Sequence, residues 1–204
     1  MPDMLKQRLA LISIPLIVLA GCGGSSSKTS SGSASAGGGS SNGALAADAR
    51  SAATGDIPDN QNFLTFKDTK DGFSMKYPEG WTQNRARGGV TFQDKNNLVR
   101  AAVASGPAPT IASVTAELAK LKAKQPSLAP KTPQKVTIKG QPVIKVTYTT
   151  TSAPNQVTGK RVVLMVDRYE YAKNGKVAVL DLGTPTGVDN VDAYRMMSES
   201  FTWL

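Results

Sequence analysis

The side chains that most often carry out catalysis are scarce in this sequence. Its 204 residues include no histidine and one cysteine, Cys22. A nucleophile activated by histidine and an imidazole metal site are therefore excluded. Carboxylates remain, but Asp167 and Glu170, three positions apart at the end of a predicted strand, point to opposite faces and make a poor general acid/base pair. We predict a protein that is not an enzyme and holds no metal or cofactor, with a hydrolase that uses only carboxylates as the alternative.

The cysteine follows a segment with the features of a secretory signal. Basic residues precede an apolar run of 12 residues, Leu9 to Ala20, which is shorter than the about 17–25 residues of a transmembrane helix. The end of this segment, Leu19-Ala20-Gly21-Cys22, resembles the lipobox of bacterial lipoproteins. The resemblance implies a signal peptide over residues 1–21 and a lipidated Cys22 that holds the protein to the extracytoplasmic side of the bacterial cell membrane. The alternative is a free cysteine after ordinary signal cleavage, a thiol open to oxidation in an exported protein.

A stretch rich in glycine and serine separates Cys22 from the rest of the chain. Gly23 to Gly43 contains 7 Gly and 9 Ser in 21 residues, a composition that cannot bury enough apolar surface to fold. We therefore predict that residues 22–60 are a flexible tether with a root-mean-square reach of about 30–35 Å. Residues 61–204 have the length of one folded domain.

Alternating apolar residues predict a series of short strands in this domain. Phe73, Met75 and Tyr77 alternate with polar residues, as in a strand with one buried face. Lys139-Gly140 signals a tight turn, and Asn174-Gly175 favours a type I′ hairpin. The predicted strands are 63–66, 72–77, 88–92, 98–104, 135–138, 141–150, 161–166 and 177–182.

Two segments have the periodicity of helices. The first places Ile111, Val114, Leu118 and Leu121 on one face, with Thr110 or Ser113 as its cap and Pro126 beyond its end. The second begins after Asp189 or Asn190 as its cap, and its predicted inward residues are Val191, Tyr194 and either Met196 or Met197. Asp189 and Asp192 are also candidates for a cation site, but their position favours capping of the helix start.

The strand at 161–166 is apolar on both faces. Val163 and Met165 lie on one face, whereas Val162, Leu164 and Val166 lie on the other, so both faces should be covered. One helix on each face of the sheet satisfies this requirement. We predict an α+β fold, a three-layer α/β/α sandwich around a mainly antiparallel sheet.

Several short motifs resemble the PsbP-like family, named for an extrinsic subunit of photosystem II. They are Gly72-Phe73-Ser74, Tyr77-Pro78-Glu79-Gly80-Trp81, Val90-x-Phe92-x-Asp94 and Ser200-Phe201-x-Trp203. The resemblance covers residues 63–204 and implies an α/β/α sandwich on a lipoprotein. It also implies a non-catalytic domain that works beside membrane proteins. The photosystem II members hold ions, and histidine is among the residues proposed to bind them. This chain has no histidine, so the resemblance does not imply an ion-binding role here. We expect Tyr77, Trp81, Phe201 and Trp203 to be core aromatics.

The folded part is basic. It contains 20 Lys and Arg against 11 Asp and Glu, a net charge of +9. Seven lysines are close together in the sequence: Lys120, Lys122, Lys124, Lys131, Lys135, Lys139 and Lys145. They are interpreted either as an ordinary solvated surface or as a site for anionic lipid or a cell-wall polymer.

These observations favour a non-catalytic binding or accessory module. Its expected partners are the membrane, through lipidated Cys22, and an envelope protein or an anionic polymer; nucleic acid is not expected for an exported chain. The alternative is a carrier of a lipid or another hydrophobic ligand. A carrier requires a sizeable apolar cavity in place of a fully packed core.

Overall fold

The computed structural model describes residues 55–86, 88–154 and 159–204. The predicted signal peptide, Cys22 and most of the predicted tether lie outside these residues. None of the helices in the described ranges is long and apolar enough to span a bilayer. The helices are α1 (Ile111–Lys124) and α2 (Val191–Ser200). The strands are β1 (Phe63–Asp68), β2 (Phe73–Pro78), β3 (Thr82–Ala86), β4 (Gly89–Asp94), β5 (Asn97–Ser105), β6 (Ala129–Pro130), β7 (Gln134–Ile138), β8 (Gln141–Thr151), β9 (Val163–Lys173), β10 (Lys176–Pro185) and β11 (Thr202–Trp203).

The strands form two sheets in which every pairing is antiparallel. The large sheet has eight strands, in the order β3-β4-β5-β10-β9-β8-β6, with β7 also paired to β8. The small sheet has the order β1-β2-β11. The central hairpin of the large sheet, β9–β10, turns at Asn174-Gly175, where φ is 50° and 72°. These left-handed values fit the predicted type I′ hairpin.

The two faces of the large sheet are covered differently. On one face, Val114 and Leu118 of α1 pack with Ile144, Val146 and Tyr148 of β8. On the other face, α2 and the small sheet pack together, and their buried residues include Phe73, Met197 and Phe201. The predicted α+β fold with three layers is therefore confirmed, with one addition: the second outer layer combines a helix and a small sheet.

The first helix begins where the sequence predicted. Thr110 is the N-cap: its hydroxyl accepts a hydrogen bond from the backbone N–H of Ser113 at 3.1 Å, and the Ser113 hydroxyl accepts one from the backbone N–H of Thr110 at 2.9 Å. This reciprocal pair is a capping box. The helix stops at the C-cap Gln125, directly before Pro126.

Three predictions of burial were wrong. Ile111, predicted on the apolar face of α1, is 44% exposed, and the other two concern one region of the large sheet and α2. Val191 was predicted to face inward but is 66% exposed, and Val163 and Met165 of β9 are 54% and 38% exposed. The opposite face of this part of β9 is covered, because Leu164 and Val166 are buried against α1. The small sheet packs over β4 and β5, and α2 packs over β10 and the later part of β9. No described element covers the beginning of β9 on this face.

The strand β9 is also longer than predicted, since it continues to Lys173. Asp167 and Glu170 therefore lie within the strand and not at its end. They point to opposite faces, as the spacing predicted.

In the second helix, Tyr194 and Met197 are buried and Met196 is exposed, which settles the choice between the two methionines.

Candidate functional site

The uncovered part of the sheet and helix α2 enclose a half-open groove. Its volume is about 310 Å³, at the lower end of the range of about 300–1,000 Å³ found for small-molecule sites. The walls are largely apolar, and the charged residues at its sides are Lys145, Asp167, Arg195 and Glu199. The apolar residues come from β7, β9, β10, the segment that leads into α2 and the first residue of α2: Val136, Ile138, Met165, Leu182, Val188 and Val191.

Hydrogen bonds from two tyrosines hold the helical wall of the groove. The Tyr194 hydroxyl donates to the carbonyl oxygen of Gly183 on β10 at 2.6 Å, and the Tyr171 hydroxyl of β9 donates to the carbonyl oxygen of Ser198 at 2.8 Å. Burial raises the pKa of both hydroxyl groups, so they remain protonated donors. Because both bonds tie α2 to the sheet, the groove is formed before any ligand binds.

The polar side of the groove is an ion pair. The Lys145 ammonium group lies 2.8 Å from Oδ2 of Asp167 and 5.1 Å from the ring centroid of Tyr169. Burial by itself lowers the pKa of Lys145, but the contacts with Asp167 and Tyr169 outweigh it and the pKa lies above its ordinary value. The other carboxylate oxygen of Asp167 accepts a hydrogen bond from the Thr147 hydroxyl at 2.5 Å. Both oxygens of Asp167 are thus engaged, which disfavours its use as a general base.

Asn190 connects the groove to the N-terminal segment of the described chain. Its Nδ2 donates to the carbonyl oxygen of Gly55 at 3.1 Å and to Oγ1 of Thr184 at 2.9 Å, and its Oδ1 accepts from the backbone N–H of Ile57 at 2.8 Å. Asn190 holds the N-cap position of α2, but its side chain makes no capping hydrogen bond. The sequence suggested only a cap, because the partners of Asn190 include residues more than 130 positions away in the chain.

A second cleft lies on the other side of Asn190. Its volume is about 300 Å³, and it is lined by four aspartates, namely Asp56, Asp59, Asp189 and Asp192. Asp189 accepts a hydrogen bond from the backbone N–H of Val191 at 3.2 Å, and Asp192 pairs with Arg195. Among the described residues, no group of three or more acidic, histidine or cysteine side chains is placed to hold a metal ion.

The opposite face of the large sheet contains a buried ion cluster. Nε of Arg168 lies 2.7 Å from Oδ1 of Asp181, and NH1 of Arg168 lies 3.0 Å from Oε1 of Glu117 on α1. Arg100 and the Tyr148 hydroxyl also donate to Asp181, at 3.2 Å and 3.3 Å. Burial disfavours the charged forms of Arg168 and Asp181, but the attraction between the two charges outweighs this effect. The pKa of Asp181 is therefore lowered and that of Arg168 is raised. This cluster joins α1 to the sheet and leaves no free carboxylate oxygen on Asp181.

The structure describes only some of the site residues predicted from the sequence, and it separates others that are close together in the chain. Cys22 lies outside the described residues, so its lipidation stays a prediction. The lysines that are neighbours in the sequence are divided between the two faces of the sheet. Lys120, Lys122 and Lys124 are exposed on α1, whereas Lys145 lies in the groove on the other face.

The motif aromatics belong to the core, as expected. Trp81, Phe201 and Trp203 are buried. Tyr77 is half-buried, and its ring stacks on Phe92 with 4.2 Å between the centroids. The groove itself was not predicted. The signal that pointed to it was the apolar outer face of β9, which sequence analysis assigned to the core.

Comparisons with known proteins bear on the fold. No protein family model matches the sequence, and neither does any curated protein. Among solved structures, the chain is similar to the cyanobacterial PsbP (CyanoP) of Synechocystis sp. PCC 6803, with 15% identity, a TM-score of 0.55 and coverage of 74% of this chain and 98% of that one.

Two further solved structures align less well. One is a protein of Bacteroides thetaiotaomicron, with 13% identity, a TM-score of 0.46 and coverage of 69% of this chain and 48% of that one. The other is the Ran-binding protein Mog1p of Saccharomyces cerevisiae, with 8% identity, a TM-score of 0.46 and coverage of 71% and 96%. The similarity to CyanoP, together with the antiparallel sheet between helical layers, shows that this chain has a PsbP-like fold.

Proposed function

We propose that this protein is a lipid-anchored binding module of the bacterial envelope, without catalytic activity, and that the groove beside α2 is its binding surface. The observation that carries the proposal is the groove itself: an apolar surface fixed by two tyrosine hydrogen bonds and left uncovered. Large apolar patches at the surface of a folded protein usually mark interaction sites. The lipid anchor is proposed from the lipobox that ends at Cys22, and it would keep the module on the extracytoplasmic side of the cell membrane.

The state of two carboxylates of the large sheet, Asp167 and Asp181, supports a non-catalytic role. Asp167 lies in the groove but is bound by Lys145 and Thr147. Asp181 is buried and bound by two arginines. A retaining or inverting glycoside hydrolase needs a pair of carboxyl groups facing one substrate, one of them free to transfer a proton.

An envelope protein is the partner that the groove favours. A half-open apolar groove accepts side chains from a partner's surface, in the way that anchor residues fill pockets at protein interfaces. An anionic polymer, the other partner expected from the sequence, would instead have to bind the exposed lysines of α1 on the opposite face. Nucleic acid is not proposed.

A hydrophobic-ligand carrier is a second candidate, and the lining of the groove favours it. The apolar walls and the volume of about 310 Å³ suit a small apolar ligand. Against a lipid carrier, the groove is open along one side, and the residues beneath the small sheet and α2 form a packed core. Such a carrier would leave part of a long acyl chain in contact with water.

Site-specific photo-crosslinking in living cells tests the proposal. A photoreactive amino acid replaces Val188 in the groove, and the matched control replaces Ile111, which is 44% exposed on α1, on the other face of the sheet. We expect a discrete protein adduct at Val188 that the control lacks and that the added substitution Met165→Asp abolishes. An adduct of equal yield at both positions, or none at either, would contradict the proposed binding surface.

Lipidation and ligand binding are tested separately. The intact mass of the mature protein should show fatty acids on Cys22, and Cys22→Ser should release the protein from membranes. A protein without fatty acids would refute the anchor. Titration of the Cys22→Ser chain with a fluorescent fatty acid addresses the second candidate: saturable binding that Met165→Asp removes would favour the carrier over the protein-binding module.

A further inference from the structure

The groove and the acidic cleft are two parts of one surface. Both are lined by Asn190, and they lie on either side of the start of α2. Val191, exposed at the first turn of α2, borders the groove, whereas Asp189 and Asp192 border the cleft. A partner segment that lies across the start of this helix would contact both.

The charge of the cleft is opposite to that of the chain. The sequence has a net charge of +9, yet the described residues that line the cleft include four aspartates and no lysine or arginine. Asp192 is neutralised by its ion pair with Arg195 of the groove, so the negative charge of the cleft comes from Asp56, Asp59 and Asp189. Asp189 and Asp192 also suit the N-terminus of a helix, where negative charge is favourable. Asp56 and Asp59 have no such role, because they lie on the segment before β1.

The apolar part of the surface is supplied by the groove. Met165 and Val191 are both partly exposed at its edges, and the Lys145–Asp167 ion pair inside it is internally neutralised. The combined surface is therefore apolar on one side of α2 and negative on the other. Electrostatic complementarity selects a partner of the opposite charge and disfavours partners of like charge.

We propose that this surface docks a basic amphipathic segment of a partner protein, an inference that rests on the proposed function. The apolar side chains of the segment occupy the groove, and its Lys or Arg side chains lie beside the aspartates. An amphipathic helix in an apolar groove is a common mode of peptide recognition. An anionic lipid surface or an anionic polymer would be repelled by the aspartates at this site.

Synthetic peptides test the proposal with the full chain carrying Cys22→Ser. The probe is a fluorescent amphipathic peptide of about 14 residues built from Leu and Lys; the comparison peptide has Glu in place of each Lys. We expect saturable binding of the Leu/Lys peptide, and binding of the Leu/Glu peptide at least about tenfold weaker. Equal binding of the two peptides, or no binding of the Leu/Lys peptide, would overturn the proposal.

Paired variants locate the site. Asp56→Asn with Asp59→Asn should weaken Leu/Lys binding by about 2- to 30-fold and reduce its dependence on salt. The matched control, Asp71→Asn with Asp94→Asn, removes the same charge from the β1–β2 and β4–β5 turns and should have no comparable effect. Met165→Gln should weaken binding at least about fivefold, whereas Ile111→Gln on α1 should not. Losses of the same size in the controls would show that the peptide binds non-specifically and would refute the site.

The results separate this proposal from the proposed function. An adduct at Val188 in cells, together with no binding of the Leu/Lys peptide, would leave the groove as a binding surface and refute the basic partner. Peptide binding with the predicted variant effects, but no adduct in cells, would support the chemistry of the surface and contradict its use in the envelope. Near-ultraviolet circular dichroism of each variant confirms that the fold is retained.

Discussion

The most informative single substitution in the core is Asp181→Asn. The side chains of Asp181 and Arg168 are each 5% exposed, and they form the centre of the ion cluster beneath α1. The substitution removes the charge that opposes the Arg168 guanidinium and leaves Glu117, which is 44% exposed, as the remaining acidic contact in that cluster. Arg168 would then be a buried cation without sufficient compensation.

The expected loss of stability is large. Removal of one partner of a buried ion pair costs about 3–5 kcal/mol, against a total free energy of unfolding of about 5–15 kcal/mol for a typical domain. Replacing both charges, with Arg168→Met and Asp181→Leu, should cost less than either single change, because no buried charge is left unpaired. The other two charged groups of the cluster, Arg100 and Glu117, have side chains that are 46% and 44% exposed. The matched control is Asp192→Asn, which breaks an exposed pair with Arg195 and should cost less than about 1 kcal/mol.

The pH dependence of the effect has a defined sign. The pKa of Asp181 in the folded state is lowered from 3.8, because the attraction of Arg168 outweighs the effect of burial. A carboxylate with a lowered folded pKa contributes stability that is present above its unfolded pKa and is lost as the pH falls through the folded value. The difference between the original chain and Asp181→Asn should therefore be constant near neutral pH and shrink below about pH 4.

Equilibrium unfolding in guanidinium chloride measures these differences. The Cys22→Ser chain is the reference, and each variant is compared at pH 7 and at a series of lower pH values. The reasoning fails if Asp181→Asn unfolds at the same denaturant concentration as the reference. It also fails if Asp192→Asn loses as much stability, since exposure would then have no influence on the strength of the pair.

Three smaller changes test other parts of the structure. Asn190→Ala should destabilise the protein by about 1–3 kcal/mol and speed hydrogen exchange at the Ile57 amide, because that buried N–H loses its acceptor. Unchanged exchange would show that Asn190 does not hold the segment around Ile57. Thr110→Ala should cost about 1 kcal/mol by removing the cap of α1, and rescue by Thr110→Ser is the control. Gly175→Ala should cost about 1–2 kcal/mol, since φ is 72° at this turn, whereas a free energy of unfolding equal to that of the reference would show that the turn relaxes.

Local sequence signals determined much of the fold. The period-2 alternation at Phe73 and Met75, the capping box at Thr110 and the turn at Asn174-Gly175 each act within a few residues, so the chain encodes them without reference to distant parts. The apolar content of strands β9 and β10 indicated a sheet covered on both faces. The lack of histidine and the single cysteine narrowed the possible chemistry in the same direct way.

The tertiary structure alone decided which part of the large sheet α2 and the small sheet leave uncovered. Val163, Met165 and Val191 are apolar and have the spacing of core residues, but the layer formed by the small sheet and α2 leaves them exposed. The groove lies beside this uncovered part of β9, and no local residue pattern indicates which part of the sheet is left uncovered. The same applies to Asn190 and to the Arg168–Asp181 pair: each depends on side chains that lie far apart along the chain and that only the packing of the layers brings together.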